Sequence, residues 1–126
     1  MADTILVVED EDKLRNIVHD ELKDNNFNVL TAQNGAEALK IIEESMPDLI
    51  ILDMKLPDMT GVEILGTIRE RDTEVPVIVC TAVPLNKFKT YYDRWASKAM
   101  DKPVDLNSLV NTVRAELAKV KEKKGK

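Results

Sequence analysis

Acidic side chains follow two of the hydrophobic runs in this chain, at the point where each run ends. The segment "ILVVEDED" places Glu9 and Asp10 directly after four apolar residues, and the segment "DLIILD" ends in Asp53. Carboxylates held close together repel one another, so one of them takes up a proton unless a cation neutralises the group. Oxygen ligands of this kind are typical of Mg²⁺, which uses one or two carboxylates and keeps several waters.

A simpler interpretation is that these acids only open a helix, where negative side chains favour the positive end of the helix dipole. That interpretation accounts for Asp12 and Glu11. It does not account for Asp53, which ends a strand-like run and precedes a loop containing Pro57 and Gly61. We therefore favour a metal site over a helix start alone.

Two further polar residues end hydrophobic runs later in the chain. Thr81 ends "PVIVCT", and Lys102 precedes Pro103 in "DKP". Taken singly, they read as an ordinary strand-end threonine and a solvated surface lysine. Together with an aspartate and a metal they favour phosphoryl transfer, because an aspartate can form an acyl phosphate while a metal and an ammonium group neutralise the phosphoryl oxygens.

Strand-like and helix-like periods alternate five times along the chain, which determines how these residues are positioned. The strand-like runs are Thr4–Val8, Asn28–Ala32, Asp48–Asp53, Pro76–Thr81 and Ser97–Asp101. Apolar residues at helical spacing follow each run. The alternation predicts an α/β fold with a parallel sheet, and five strands in the flavodoxin-like order give a (βα)5 doubly wound sheet with strand order 2-1-3-4-5. Ligands of such sheets bind beyond the carboxyl ends of the strands, where the strand order reverses.

Length and composition restrict the classes of protein that the chain can represent. Its 126 residues fit one domain, over residues 1–121, followed by a basic flexible tail at 122–126. A formal net charge of −5 argues against a nucleic-acid-binding surface. Cys80 is the single cysteine, so an internal disulfide is excluded. We expect it to be a buried strand residue. We expect a cytoplasmic protein, since the sequence shows neither a membrane-spanning run nor a signal peptide.

The combined motifs resemble the receiver domain of two-component response regulators, from Thr4 to about Val120. They are the acidic pair, "LDMKLPDMTG", "TA" after the fourth strand and "KP" after the fifth. The stretch "LDMKLPDMTGVEIL" is especially similar to single-domain receivers of sporulation-type phosphorelays, and chemotaxis receivers are also similar. The resemblance implies a phosphoprotein that takes a phosphoryl group from phosphohistidine and signals by protein contacts or passes the group on.

The resemblance also implies a role for each matching residue near the metal. Asp53 is the expected phosphoacceptor and a metal ligand. Asp10 is expected to bind Mg²⁺ directly and Glu9 to bind it through water, with the main-chain carbonyl of Lys55 as a further ligand. Mg²⁺ is the expected cofactor.

Two residues at the later strand ends complete the implied site. Thr81 is expected to contact the phosphoryl group and to shift on activation. Lys102 is expected to pair with the acceptor and then with its phosphate, and the Lys102–Pro103 peptide bond is expected to be cis.

The expected partner is a sensor histidine kinase or a histidine phosphotransfer protein. The residues that match its docking surface include Glu11, Asn16, Asp20, Pro103 and Val104. The downstream target is a protein that the sequence does not identify. We expect a monomer that binds neither nucleic acid nor membrane, and that catalyses only its own phosphorylation and slow dephosphorylation.

The chain departs from the receiver pattern at two positions. Ala99 occupies the place of the aromatic three residues before the "KP" lysine, and Trp95 replaces a small glycine. Ala99 has no side-chain torsion to change, and Pro84 restricts the loop Ala82–Lys87 that follows Thr81. These features favour a relay intermediate over a switch that exposes a new surface.

Three alternatives remain open at this stage. An Mg²⁺-dependent aspartate-nucleophile phosphatase of the haloacid dehalogenase type needs a second Asp two residues after the first, where this chain has Lys55. A flavodoxin-like electron carrier needs an uncharged phosphate loop after the first strand, where "EDED" repels phosphate. The chain can also be the N-terminal fragment of a larger response regulator.

Overall fold

The computed structural model describes residues 2–124, which form one parallel sheet covered by helices on both faces. The strands are β1 (Thr4–Val8), β2 (Asn28–Ala32), β3 (Leu49–Leu52), β4 (Val77–Thr81) and β5 (Lys98–Asp101). The helices are α1 (Asp12–Asp24), α2 (Gly35–Glu44), α3 (Gly61–Arg71), α4 (Lys89–Trp95) and α5 (Leu106–Lys124), with a 3₁₀ turn at Leu85–Phe88. The strand order is β2-β1-β3-β4-β5, which confirms the predicted topology.

The register of the sheet follows from its hydrophobic strands. Thr4 of β1 pairs with Asn28 of β2, and Val8 of β1 pairs with Leu52 of β3, so the carboxyl ends of β1 and β3 lie side by side. Leu6 and Val8 face the α2–α3–α4 side, whereas Ile5 and Val7 of the same strand face the α1–α5 side. Apolar residues on both faces are what a strand covered by helices on both sides requires.

Local signals fix where the helices begin. The Asn34 side chain accepts from the Glu37 amide at the start of α2, and Thr60 and Glu63 form a reciprocal capping box at the start of α3. Asp105 precedes α5 in the same way, and a carboxylate oxygen of its side chain accepts from the Ser108 amide at 3.2 Å.

The structure corrects several predicted boundaries. Three strands each begin one residue later than predicted, at Leu49, Val77 and Lys98, and β3 ends at Leu52. The trimmed residues still continue the ladder, as in the 3.2 Å hydrogen bond from the Asp53 amide to the Val8 carbonyl. The predicted loop Ala82–Lys87 is partly wrong, because a 3₁₀ turn begins inside it at Leu85.

The C-terminal boundary at residue 121 stays a prediction. The helix α5 continues through residues 122–124, and residues 125 and 126 of the predicted tail lie outside the described residues. Among residues 2–124, the helices are too short or too polar for any of them to span a membrane.

Candidate functional site

The carboxyl ends of β1, β3, β4 and β5 meet at one edge of the sheet and bring the predicted residues together. They surround a cleft of about 420 Å³. Its lining includes Glu9, Asp10, Asp53, Lys55, Thr81 and Lys102. These residues come from four different strand ends, and the parallel topology places them side by side at the switch point between β1 and β3.

Three carboxylates converge in this cleft. Glu9, Asp10 and Asp53 each offer an oxygen atom, and these atoms lie within 4.8 Å of one another. Glu9 and Asp53 are each only 6% exposed, whereas Asp10 is exposed to solvent. Two buried acids and one open to water form an acidic pocket that fits a hard cation with part of its water shell retained.

Lys102 balances part of this negative charge. Its Nζ atom lies 2.5 Å from Oε1 of Glu9 and 2.8 Å from Oδ2 of Asp53. Burial opposes the charge on the ammonium group, but the hydrogen bonds to Asp53 and Glu9 outweigh it and raise the pKa of Lys102. Burial also raises the pKa of the Glu9 carboxyl, although Lys102 and the Glu11 amide act to lower it.

The remaining predicted residues lie around Asp53. The Lys55 amide donates to Oδ1 of Asp53 at 3.1 Å, which orients the carboxylate from the loop after β3. Thr81 is fully buried, and its Oγ1 accepts from the Val83 amide at 3.1 Å. A hydroxyl that accepts in this way keeps its own proton to donate into the cleft. The Lys102 amide donates to the Thr81 carbonyl at 3.0 Å, which holds the ends of β4 and β5 together.

Two structural expectations near the site are confirmed. The Lys102–Pro103 peptide bond is cis. Cys80 is buried in β4, and burial raises the pKa of its thiol to about 12, so the thiolate is not available near neutral pH.

The loop after Asp53 is held by contacts that the sequence reasoning missed. The Asp58 carboxylate accepts from the amides of Gly35 at 2.8 Å and Ala36 at 2.9 Å, and these hydrogen bonds lower its pKa. Gly61 is required at the end of the loop, since a Cβ atom there would lie 2.6 Å from the Cα atom of Met54. The pattern after Asp53 indicated a loop, but it did not indicate that the loop is attached to the start of α2.

Arg15 is a second residue that the sequence reasoning missed. Its Nη1 atom donates to the main-chain carbonyl of Glu9 at 2.9 Å, and its Nη2 atom pairs with Asp12. The only sequence signal was an arginine five residues after Asp10, on the first turn of α1.

A groove beside the cleft contains part of the predicted docking surface. It has a volume of about 590 Å³ and lies between α1 and the loop that joins β5 to α5. Its lining includes Glu11, Leu14, Ile17, Pro103 and Val104, together with Asp53 and Lys102 at one end. The other two predicted docking residues, Asn16 and Asp20, are exposed on α1 and are not among the residues that line the groove.

The groove explains why one apolar residue of α1 is not in the core. Val18 and Leu22 are buried, but Ile17 is 41% exposed. Ile17 lies at the open edge of the face and borders the groove instead of the sheet.

The side chains around Ala99 differ from the usual receiver pattern, in which an aromatic residue stands at this position. Tyr92 of α4 is buried in the α2–α3–α4 core, and Ala99 packs against the same cluster. The Trp95 main-chain carbonyl accepts from Nε of Arg69 at 2.7 Å, and the guanidinium group of Arg94 lies 5.0 Å from the Trp95 ring centroid. The C-terminal end of α4 is therefore tied to α3.

A five-stranded parallel sheet with an acidic triad and a lysine at its switch point defines a receiver of the response-regulator type. The model of the "response regulator receiver domain" family matches residues 5–114. The chain belongs to this family.

Individual relatives agree with the assignment. The chain is 31% identical to sporulation initiation phosphotransferase F of Bacillus subtilis (strain 168) over 118 residues, covering 93% of this chain and 95% of that protein. It is 35% identical over 114 residues to the uncharacterized transcriptional regulatory protein YkoG of the same organism, covering 90% of this chain but 50% of that protein. The chain thus spans about half the length of YkoG.

A solved structure shows the same fold. The CheY-like response regulator receiver domain protein from Methanospirillum hungatei JF-1 superposes with a TM-score of 0.93, covering 98% of this chain and 99% of that one, at 23% identity. Response regulator receivers interact with histidine kinases, and the family is generally a signalling domain rather than a catalyst.

Proposed function

We propose that this receiver accepts a phosphoryl group from phosphohistidine onto Asp53, in a reaction that requires Mg²⁺. The observation that carries the proposal is the surroundings of the Asp53 carboxylate. It is buried, shares the acidic pocket with Glu9 and Asp10, and lies 2.8 Å from the Lys102 ammonium group.

The proposed transfer moves one phosphoryl group between two side chains. A carboxylate oxygen of Asp53 attacks phosphorus, the bond between phosphorus and the donor imidazole nitrogen breaks, and its electron pair leaves with that nitrogen. The product is an acyl phosphate on Asp53 and a free histidine on the donor. Lys102 then exchanges one of its carboxylate contacts for a phosphoryl oxygen, and the Thr81 hydroxyl donates to another.

The residues present fit the proposed metal. In this proposal Asp10 and Asp53 would hold Mg²⁺ directly, Glu9 would hold it through water, and the main-chain carbonyl of Lys55 would be a further oxygen ligand; the convergence of the three carboxylates and the presence of Lys55 in the cleft lining support it. When bound, Mg²⁺ neutralises negative charge on the phosphoryl oxygens. The oxygen-only donor set favours Mg²⁺ over softer metals.

We propose that the acyl phosphate persists as the signal instead of being turned over. Lys55 stands two residues after Asp53, where an aspartate phosphatase carries its general acid. The chain therefore promotes its own phosphorylation and only slow hydrolysis. We place this phosphoryl transfer in the cytoplasm and treat the protein as a monomer. Cys80, its single cysteine, is a free thiol inside the sheet.

The proposed donor is a histidine kinase or a histidine phosphotransfer protein that docks on the groove beside α1. That groove is lined largely by apolar side chains and opens toward Asp53 at one end, so a helix placed on it brings its histidine to the acceptor. With Ala99 in place of an aromatic, we favour passing the phosphoryl group onward over switching a surface.

Labelling with a small phosphodonor tests the proposal without a partner. The wild-type protein, treated with acetyl phosphate and Mg²⁺, should gain the mass of one phosphoryl group, and EDTA should prevent the gain. Asp53→Asn should not be labelled, because an amide is not a nucleophile for this reaction. Asp24→Asn, at the exposed C-terminal end of α1, is the matched control and should label normally. Full labelling of Asp53→Asn would refute the assignment.

A further inference from the structure

Arg15 contacts the main chain of both acidic residues at the end of β1. Its Nη1 atom lies 2.9 Å from the Glu9 carbonyl oxygen and 3.4 Å from the Asp10 carbonyl oxygen. Its Nη2 atom pairs with the Asp12 carboxylate. The Arg15 side chain is only 14% exposed although it begins on a solvent-facing turn of α1.

These contacts fix the backbone from which the carboxylates project. A guanidinium group offers several donors in one rigid plane, so one side chain can hold two carbonyls and a carboxylate at the same time. The Arg15 amide also donates to the Glu11 carbonyl at 2.9 Å, which makes the arginine part of the first turn after the acidic segment. Rotation of the Glu9 or Asp10 peptide would break these hydrogen bonds.

We infer that Arg15 is a positioning residue for the metal site: it holds the Glu9–Asp10 backbone so that both carboxylates converge with Asp53, without itself being a ligand. The inference rests on the proposed function, because it concerns Mg²⁺ binding at that site. Residues that orient metal ligands change metal affinity by about 10–100-fold when they are removed.

The positioning role of Arg15 and its positive charge have opposite expected effects on Mg²⁺ affinity. Arg15 places a positive charge at the backbone of two expected metal ligands, Glu9 and Asp10, so its charge alone repels Mg²⁺. Removing that charge would tighten Mg²⁺ binding if Coulomb interactions were the whole effect. Positioning predicts the opposite, because the two ligand residues lose their fixed backbone.

The test measures the Kd for Mg²⁺ by calorimetric titration of the whole chain, beside the metal-free free energy of unfolding by denaturant. The variants are Arg15→Met, which removes the charge and the donors, and Arg15→Lys, which keeps the charge and loses the planar fork. Arg71→Met is the control, since Arg71 is exposed on α3 and donates to a main-chain carbonyl, that of Glu43.

We expect Arg15→Met to weaken Mg²⁺ binding about 10-fold and Arg15→Lys to weaken it several-fold, with Arg71→Met unchanged. Unchanged or tighter binding in Arg15→Met would overturn the inference. If Arg15→Met does not fold, the Kd of Arg15→Lys for Mg²⁺ is the deciding measurement. A wild-type Kd in Arg15→Lys would equally overturn the inference. A loss of metal-free stability with an unaltered Kd would show a structural role only. Failure of the wild type to bind Mg²⁺ would instead refute the proposed function, and the inference with it.

Discussion

Lys102 lies between two buried carboxylates, and its ammonium group donates to both. The hydrogen bonds to Asp53 and Glu9 keep the charged form of the lysine favourable in spite of its burial. Removing one member of a buried charge group leaves the others without compensation, which costs more than the group itself contributes. The stability of the metal-free protein therefore depends on this lysine.

We predict that Lys102→Met lowers the metal-free free energy of unfolding by about 2–3 kcal/mol, because loss of the part-exposed lysine leaves the carboxylates of Glu9 and Asp53 unpaired. Mg²⁺ should restore part of the loss by neutralising the same carboxylates. Denaturant unfolding with EDTA and with Mg²⁺ measures both effects. Lys98→Met, at an exposed position of β5, is the matched control, and an equal loss in that variant would show that the effect is not due to the site.

Residue types and strand ends were enough to predict the cleft, but not the contacts that support it. Asp53, Thr81 and Lys102 each follow a hydrophobic run, so the fold alone brings them together. Arg15 and Asp58 act through main-chain groups of other segments, and neither contact follows from a residue's type or its neighbours in sequence. Supporting contacts of this kind depend on backbone positions that only the folded chain defines.

At the scale of single elements, α1 presents an apolar edge that is not buried in the core. Ile17 is exposed at the groove beside Asp53, and Leu30 is exposed to a similar extent on the edge strand β2. The two side chains have nearly the same exposed fraction, 41% and 42%, but only Ile17 borders the groove. This difference makes them a matched pair for testing the docking surface.

We predict that Ile17→Ser slows phosphoryl transfer from a phosphorylated histidine donor, because it removes apolar contact area from the groove. Labelling by acetyl phosphate should be unchanged, since that donor needs no docking surface. Transfer rates measured with both donors check this, and Leu30→Ser should behave as wild type with each. Equal losses with both donors for Ile17→Ser would mean that the mutation damaged the site or the fold.

The helix α4 is held at its C-terminal end in a way that limits its movement. Arg69 donates to the main-chain carbonyls of Trp95 and Val75, both at 2.7 Å. This one side chain therefore connects α3 to the segment before β4 and to the end of α4. Burial lowers the pKa of the Arg69 guanidinium, with Asp72 and Glu74 opposing the shift. Ala99 beside this helix has no rotamer to exchange.

We predict that beryllium fluoride with Mg²⁺, as a mimic of the phosphoryl group, changes the fluorescence of Trp95 only slightly. Amide chemical shifts should change around Asp53, Thr81 and Lys102 and remain nearly constant along α4. Comparing spectra before and after addition tests this, with Asp53→Asn as the control that should show no change. A large rearrangement of α4 and β5 would contradict the relay role.

At the scale of the whole molecule, the order of strands places the chemistry. Strand–helix alternation predicted a parallel sheet, and the observed order β2-β1-β3-β4-β5 brings the ends of β1 and β3 together. The element types were predictable because the hydrophobic period encodes them, whereas the strand order was predicted from the flavodoxin-like arrangement of five such units. The 3₁₀ turn at Leu85–Phe88 was not, since no strong period or cap distinguishes it from the loop before it.

We propose that this topology makes Asp53 the phosphoacceptor, and chemical mapping of the phosphorylated residue is the direct test of that proposal. The protein is treated with acetyl phosphate and Mg²⁺ and then reduced with borohydride, which converts an aspartyl phosphate to homoserine. Peptide mass spectrometry then locates the altered residue. We expect homoserine at position 53 in the Mg²⁺-treated sample and unmodified aspartate there when EDTA is present. Homoserine at Asp10 or Asp58, with position 53 unmodified, would contradict it.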